Sequence, residues 1–245
     1  DETNNICTNI FISEYVEGSS NNHAIELYNP TSDTIDLSQY QLSRYPNGST
    51  TPTSTQLTGF VNPYSTYVIG LDKRDPDGVG YEIPMWDGYT TTIDNITGDT
   101  ITIYDVNLDL QSSIDLFINP DYNTGPTTMY FNGNDPVALQ SINGDIIDLI
   151  GKVGEDPGLG WSDSDGNIWT QNHTLIRKFE ITEGITENPT VFDPTIEWDS
   201  LPNNTFTNLG NHECECNVNN VYGCNDISAC NYNSEANIND NSCIY

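Results

Sequence analysis

Residues 10–29 read IFISEYVEGSSNNHAIELYN. Two runs, IFISEYV and AIELYN, flank a Gly/Ser/Asn stretch that turns a chain, which predicts a β-hairpin or two adjacent strands. Within the second run Ile25, Leu27 and Asn29 fall on one face and Glu26 and Tyr28 on the other, as in a half-buried strand. Working outward, the same kind of run recurs at 34–45 (TIDLSQYQLSRY), 65–71 (STYVIGL), 99–106 (DTITIYDV), 113–118 (SIDLFI), 128–133 (TMYFNG), 136–142 (PVALQSI), 145–153 (DIIDLIGKV) and 173–181 (HTLIRKFEI). Turn residues separate these runs at the spacing of a β-sandwich, so the expected class is all-β.

The chain has 245 residues and 35% hydrophobic content, enough for one sizeable core with a small satellite. Fourteen Tyr, seven Phe and four Trp supply the large apolar surfaces that disordered segments lack. Six Lys plus Arg against 36 Asp plus Glu give a formal net charge of −30, which repels phosphate backbones and anionic membranes. Direct nucleic-acid binding is therefore excluded as an expectation. No apolar run approaches the roughly 18–20 residues of a membrane span, and the first residues carry no signal-peptide pattern. Any export signal is expected to have been removed or to lie outside this numbering.

Cys7 stands near the start; Cys214, Cys216, Cys224, Cys230 and Cys243 stand near the end. An even count clustered at the termini fits disulfides formed in an oxidising compartment, so a secreted, extracellular protein is expected. Pairing Cys7 with Cys214 would tie the start of the sandwich to its end, leaving Cys216, Cys224, Cys230 and Cys243 for two bonds within the tail. Several other connectivities stay open. Near Asn211 the composition turns polar, which sets the expected boundary between a sandwich over 1–212 and a Cys-rich module over 213–245. So short and polar a tail needs crosslinks or a metal ion to hold its shape.

Two stretches, 70–89 (GLDKRDPDGVGYEIPMWDGY) and 119–127 (NPDYNTGPT), read as long polar loops. Tyr45, Tyr64, Tyr81, Trp86, Tyr89 and Tyr122 lie in or beside such loops among Asn, Thr and Gly, a composition suited to protein or glycan contact. Tyr81, Trp86 and Tyr89 are the candidate binding residues. Carboxylates and amides cluster at Asp72, Asp75 and Asp77, at Asp163, Asp165 and Asn167, and in the tail at Asp226, Asn233, Asn239 and Asp240. Calcium takes six to eight oxygen ligands, so the second cluster and, more strongly, the tail are its candidate sites. From Asp163, however, the twelfth position of an EF-hand loop is Thr174 rather than an acid.

No catalytic residues are assigned. His23, His173 and His212 are far apart in sequence, no serine sits in a nucleophile elbow, and neither a His-Glu-x-x-His nor a Cys/His signature occurs. The glycines of GEDPGLGW (154–161) lack the Lys and helix of a phosphate loop and read instead as a turn ending at a buried Trp161.

Residues 12–42 (ISEYVEGSSNNHAIELYNPTSDTIDLSQYQL) resemble the opening of the lamin tail domain as found in secreted proteins of Bacteroidota. The resemblance resumes at 130–161, at NHTLIRK (172–178) and at EWDSLPNNTFTNLGNH (197–212). It implies an immunoglobulin-like β-sandwich and a non-catalytic interaction module at the bacterial cell surface, associated with the outer membrane. The stretch from about 72 to 128 departs from shorter members as an elaborated insertion. The tail from 222 to 245 resembles a Cys-rich repeat of large surface proteins exported by type IX secretion, and implies a piece of a longer chain. Asp33-Thr34-Ile35, Asp99-Thr100-Ile101 and Asp199-Ser200-Leu201 resemble the O-glycosylation acceptor of these bacteria, making Thr34, Thr100 and Ser200 candidate sites of a glycoprotein. Expected partners are a cell-surface protein or glycan, or an outer-membrane complex, in adhesion, surface-complex assembly or presentation. The competing expectation is an accessory domain of a secreted metal-dependent nuclease or phosphoesterase.

Overall fold

A computed structural model describes residues 7–217, 222–236 and 238–245. In chain order its strands are β1 (Phe11–Glu17), β2 (His23–Asn29), β3 (Ile35–Asp36), β4 (Tyr40–Arg44), β5 (Thr53–Gln56), β6 (Phe60–Val61), β7 (Ser65–Leu71), β8 (Trp86–Ile93), β9 (Thr100–Val106), β10 (Leu116–Ile118), β11 (Val137–Ser141), β12 (Ile146–Ile150), β13 (His173–Arg177), β14 (Trp198–Leu201), β15 (Tyr222–Gly223) and β16 (Ile238–Asn239). A six-stranded sheet has the order β10-β7-β2-β1-β13-β14, and a four-stranded sheet the order β12-β11-β4-β5. β10 and β7 run parallel; the other pairs of the two sheets are antiparallel. The opening hairpin lies at the centre of the larger sheet, with β1 between β2 and β13.

Period-two alternation puts Tyr15, Ile25, Leu27, Ile69, Leu71 and Leu175 of one sheet into a single apolar cluster with Leu42, Val137, Leu139 and Ile150 of the other. Each such side chain contributes about 2 kcal/mol by leaving water, which is how the two sheets come to be held face to face as an all-β, immunoglobulin-like sandwich. Trp161 closes the core beside Gly151, whose φ of +89° suits glycine and where a Cβ would stand 2.6 Å from the indole.

A buried polar latch joins the sheets. Arg177 on β13 donates through Nη2 to Asp148 on β12, and both side chains are fully buried. The Arg177 Nε–H also donates to the Ile12 carbonyl at 3.0 Å, and its guanidinium lies 4.1 Å over the Trp198 ring and pairs with Glu197. Asp148 accepts further from the backbone N–H of Ile12, Leu149 and Ile185 at 2.8 Å each. Every acceptor position of the carboxylate is thereby used, as a buried charge requires.

Both faces of the opening hairpin are buried, contrary to the expected half-buried pattern. The outer face carries Phe11, Glu14, Val16, Ala24, Glu26 and Tyr28, and two later segments cover it. Met85, Leu110 and Ile114 from the insertion, with Phe206 and Leu209, pack on Val16, Ala24 and Val68. Further along, His212 meets the Phe11 and Tyr28 rings, and Cys214 packs beside them. Just beyond, the Glu215 N–H donates to the Phe179 carbonyl at 2.8 Å.

Two sequence expectations need correction. TMYFNG (128–133) is not a strand: Met129 and Phe131 are core residues carried on irregular chain, because Asn119 Oδ1 and the Thr127 carbonyl take the N–H groups of Met129 and Tyr130. Conversely, 86–93, expected to belong to loop and turn chain, forms β8 by pairing with β9, and polar TSTQ forms β5 on the edge of the smaller sheet.

Candidate functional site

The insertion builds a platform and a projecting hairpin. Lys73 is buried at its start, donating at 2.7 Å to both Glu82 Oε2 and the Pro120 carbonyl. Asn107 caps the short helix α1 (Leu108–Ser113) by accepting the Leu110 N–H at 2.8 Å, which seats Leu110 on the sheet. Asp87 gathers the base: it accepts from Asn107 Nδ2 at 2.6 Å, Asn22 Nδ2 at 3.1 Å and Asn204 Nδ2 at 3.3 Å. Asn22 belongs to the opening turn and Asn204 to the segment after β14, so three separate parts of the chain clamp the foot of the hairpin.

Beyond that foot β8 and β9 form a two-stranded sheet of their own. Their register places Trp86, Tyr89, Thr91 and Ile93 on one face with Val106, Tyr104, Thr102 and Thr100; Thr90 and Thr92 share the other with Ile103 and Ile101. Tyr89, Ile93, Ile101 and Ile103 are exposed, and Ile96 at the tip is 95% exposed. The Trp86 ring centroid lies 5.5 Å from Tyr89 and 5.4 Å from Tyr104, so the three rings form one aromatic face. Isolated two-stranded hairpins are marginal in water. This one therefore draws its order from the clamped base and the ring cluster.

Of the candidate binding residues, Trp86 and Tyr89 come together, whereas Tyr81 stacks on Tyr122 at 4.3 Å, and Tyr122 in turn meets Tyr130. Tyr45 is buried and donates nothing to a surface. Tyr104, not singled out from sequence, is the partner of Tyr89. Its signal was the period-two run DTITIYDV, which becomes informative only once β8 is known to lie opposite.

The cation candidates are arranged as turns. Asp163 Oδ1 accepts the N–H groups of Asp165 and Asn167, while Oδ2 accepts from Asn167 Nδ2 and Trp169 Nε1. Those donors hold the Asp163 carboxyl below its usual range and leave the loop closed on itself. Asp75 accepts the Asp77 N–H, and Asp72 pairs with Arg74. In the tail, Asp226 accepts from Ser228 and from the Tyr245 hydroxyl at 2.6 Å; Asn233, Asn239 and Asp240 accept the N–H groups of Glu235, Asn241 and Ser242. Among the described residues no three His, Cys, Asp or Glu side chains group as a metal centre.

Disulfides join Cys7 to Cys216, with Cα atoms 5.9 Å apart, and Cys224 to Cys243, 4.8 Å apart. The expected Cys7–Cys214 pair is corrected by two residues: Cys214 is taken into the aromatic cover beside Phe11 and Tyr28, which leaves Cys216 within bridging distance of Cys7. The tail has one internal bond rather than two, and Cys230 is an exposed thiol. Thr34 and Thr100 are exposed, and Ser200 on β14 is half-buried.

The most displaced acids lie under cover. Burial, and secondarily Glu26, raises Glu14 to about 9; burial raises Glu26 and Glu17 to about 7 each. Glu14 and Glu26 face each other across β1 and β2, with Ser13 Oγ and the Gly210 N–H donating to Glu26 at 2.6 Å. His23, 3.9 Å from Glu17, stacks on Phe131, and burial lowers it to about 4. Burial lowers His212 to about 4 as well. A perturbed acid in an open cleft would suggest chemistry; Glu14 and Glu26 are instead both buried, Glu26 beneath the segment through Gly210. Among the described residues no helix is long and apolar enough to cross a membrane.

A disulfide-stapled sandwich that displays an exposed aromatic hairpin belongs to the class of immunoglobulin-like domains. The family model for the lamin tail domain matches residues 6–154, more than half of the chain, and the chain belongs to that family. The family is generally non-catalytic. The strands β13 and β14, which complete the larger sheet, follow the matched residues. No curated protein and no solved structure matches the chain.

Proposed function

We propose that this chain is a secreted or cell-surface interaction module acting in adhesion, surface-complex assembly or presentation, with the β8–β9 hairpin as its recognition element. The observation that carries the reading is the hairpin itself: exposed rings and isoleucines held out from a clamped base. A rigid scaffold presenting one adaptable polar and aromatic element is the general design of binding domains. Two disulfides support an oxidising compartment.

The finer reading is a bacterial secreted lamin tail domain over 1–212, followed by the Cys-rich repeat over 213–245, exported by the type IX route in Bacteroidota. Thr34, Thr100 and Ser200 are its proposed O-glycosylation sites. Calcium is its proposed ion, taken by Asp226, Asn233, Asn239 and Asp240 after their turn donors yield. Partners are a surface protein, a glycan or an outer-membrane complex.

The test compares the full chain with its Tyr89→Ala/Tyr104→Ala double variant on arrays of surface proteins and glycans, in calcium and in chelator. Binding lost in the variant at an unchanged melting temperature is expected. Equal binding by both would remove the hairpin from the reading, and equal binding in calcium and chelator would remove the ion.

A further inference from the structure

Among the described residues strand β9 is a long free sheet edge, and its one guard against further pairing is Asp105 near its end. The free edges of the two main sheets are β10, β14, β12 and β5, of three, four, five and four residues. Shortness of that kind is one way in which proteins protect edges; lysine, proline and bulges are others. β9 (TITIYDV) has seven residues with no lysine, proline or short length to guard it, and a single charged side chain, Asp105, next to its last residue. β8 does carry a register shift at its foot, between Trp86 and Gly88, so the less guarded edge is that of β9. Ile101 and Ile103, 44% and 54% exposed, stand on the same strand.

We propose that β9 takes up an extended segment of a partner protein by strand addition, and that this segment is basic on balance. It rests on the reading of the hairpin as the recognition element and names how that element binds. The backbone supplies the first half of the argument: an unpaired strand offers a row of N–H and C=O groups whose pairing is tolerant of sequence, while Ile101 and Ile103 offer apolar neighbours to alternate side chains of the guest. Charge supplies the second half. The hairpin holds Asp87, Asp94, Asp99 and Asp105 and no cation, and the chain as a whole carries −30. All six basic residues, Arg44, Lys73, Arg74, Lys152, Arg177 and Lys178, lie outside it. A second copy would bring the same acidic surface to the edge and be repelled, whereas a lysine- or arginine-bearing strand is drawn in.

The test uses the full chain and a synthetic peptide of about ten residues that alternates valine and lysine, long enough to span one strand. Amide hydrogen exchange with the peptide present is expected to show protection at every second residue of β9, because only alternate N–H groups of an edge strand point outward. The matching valine–glutamate peptide is expected to bind at least about tenfold more weakly at low salt. Peptide binding without β9 protection, equal binding of the two peptides, or maltohexaose binding to the ring face as the only detectable contact would each overturn the proposal. The Tyr89→Ala/Tyr104→Ala arrays separate the two ideas: partner binding that needs those rings while β9 amides stay unprotected keeps the recognition element and removes strand addition.

Discussion

Replacing Glu14 by glutamine is expected to make this protein more stable, by an amount that grows with pH. Glu14 sits on β1 opposite Glu26, its Oε1 has no hydrogen-bond partner among the described residues, and burial raises its pKa from 4.5 to about 9. In the folded state it therefore keeps its proton at neutral pH, while the unfolded chain releases it. A raised folded-state value means that the associated stability is fully present below pH 4.5 and is lost as pH climbs towards 9. Each unit corresponds to about 1.4 kcal/mol, so at pH 7.5 the parent has given up about 4 kcal/mol that Glu14→Gln retains. Glutamine reproduces the shape of the protonated acid, so near pH 5 the two proteins should differ by less than about 1 kcal/mol. Urea melts from pH 5 to 8 at constant salt provide the measurement. Glu17 and Glu26, raised to about 7, lose stability as pH rises from 4.5, and the buried histidines, held near 4, lose it as pH falls from 6.5; both proteins keep these groups, so their contributions largely cancel in the difference. The exposed aspartates with lowered values titrate below the window. Parallel curves, with a difference independent of pH, would refute the claim that Glu14 is buried in its neutral form.

Arg177→Ala should cost about 3 to 5 kcal/mol, because it strands Asp148 in the core without its countercharge; the midpoint of chemical denaturation measures this, and a loss below 1 kcal/mol would show that the latch does not hold the sheets. Proteolysis without reduction should release a fragment joining Cys7 to Cys216. Reduction of that bond, which spans 209 residues of chain, should lower stability by about 2 to 5 kcal/mol.

The alternation in IFISEYV and AIELYN, the turn between them and the repeated short runs were sufficient to read an all-β sandwich, since a strand's side-chain period is a local property. The glycines of 154–161 and the tryptophan at 161 were similarly legible as a turn ending at a core residue, whereas the contact of Trp161 with Gly151 was not. Local signals ended where one surface met another. Nothing near Glu14 or Glu26 announced that their face would be covered, because Leu209, Gly210 and the insertion arrive from far along the chain.

The same limit explains the candidate site. Trp86 and Tyr89 were visible as aromatics in polar chain, but β8 was read as loop because Thr-rich sequence with a glycine becomes strand only against its partner, and Tyr104 gained meaning through that pairing. Cysteine count and placement established that the ends would be stapled; whether Cys214 or Cys216 met Cys7 depended on which of them the aromatic cover took in. By itself the sequence determined fold class, charge and the presence of crosslinks, all properties of composition or of neighbours along the chain. The tertiary structure alone decided which acids are buried, which edge is free and which rings share a face, because those depend on distances between residues that are remote in sequence.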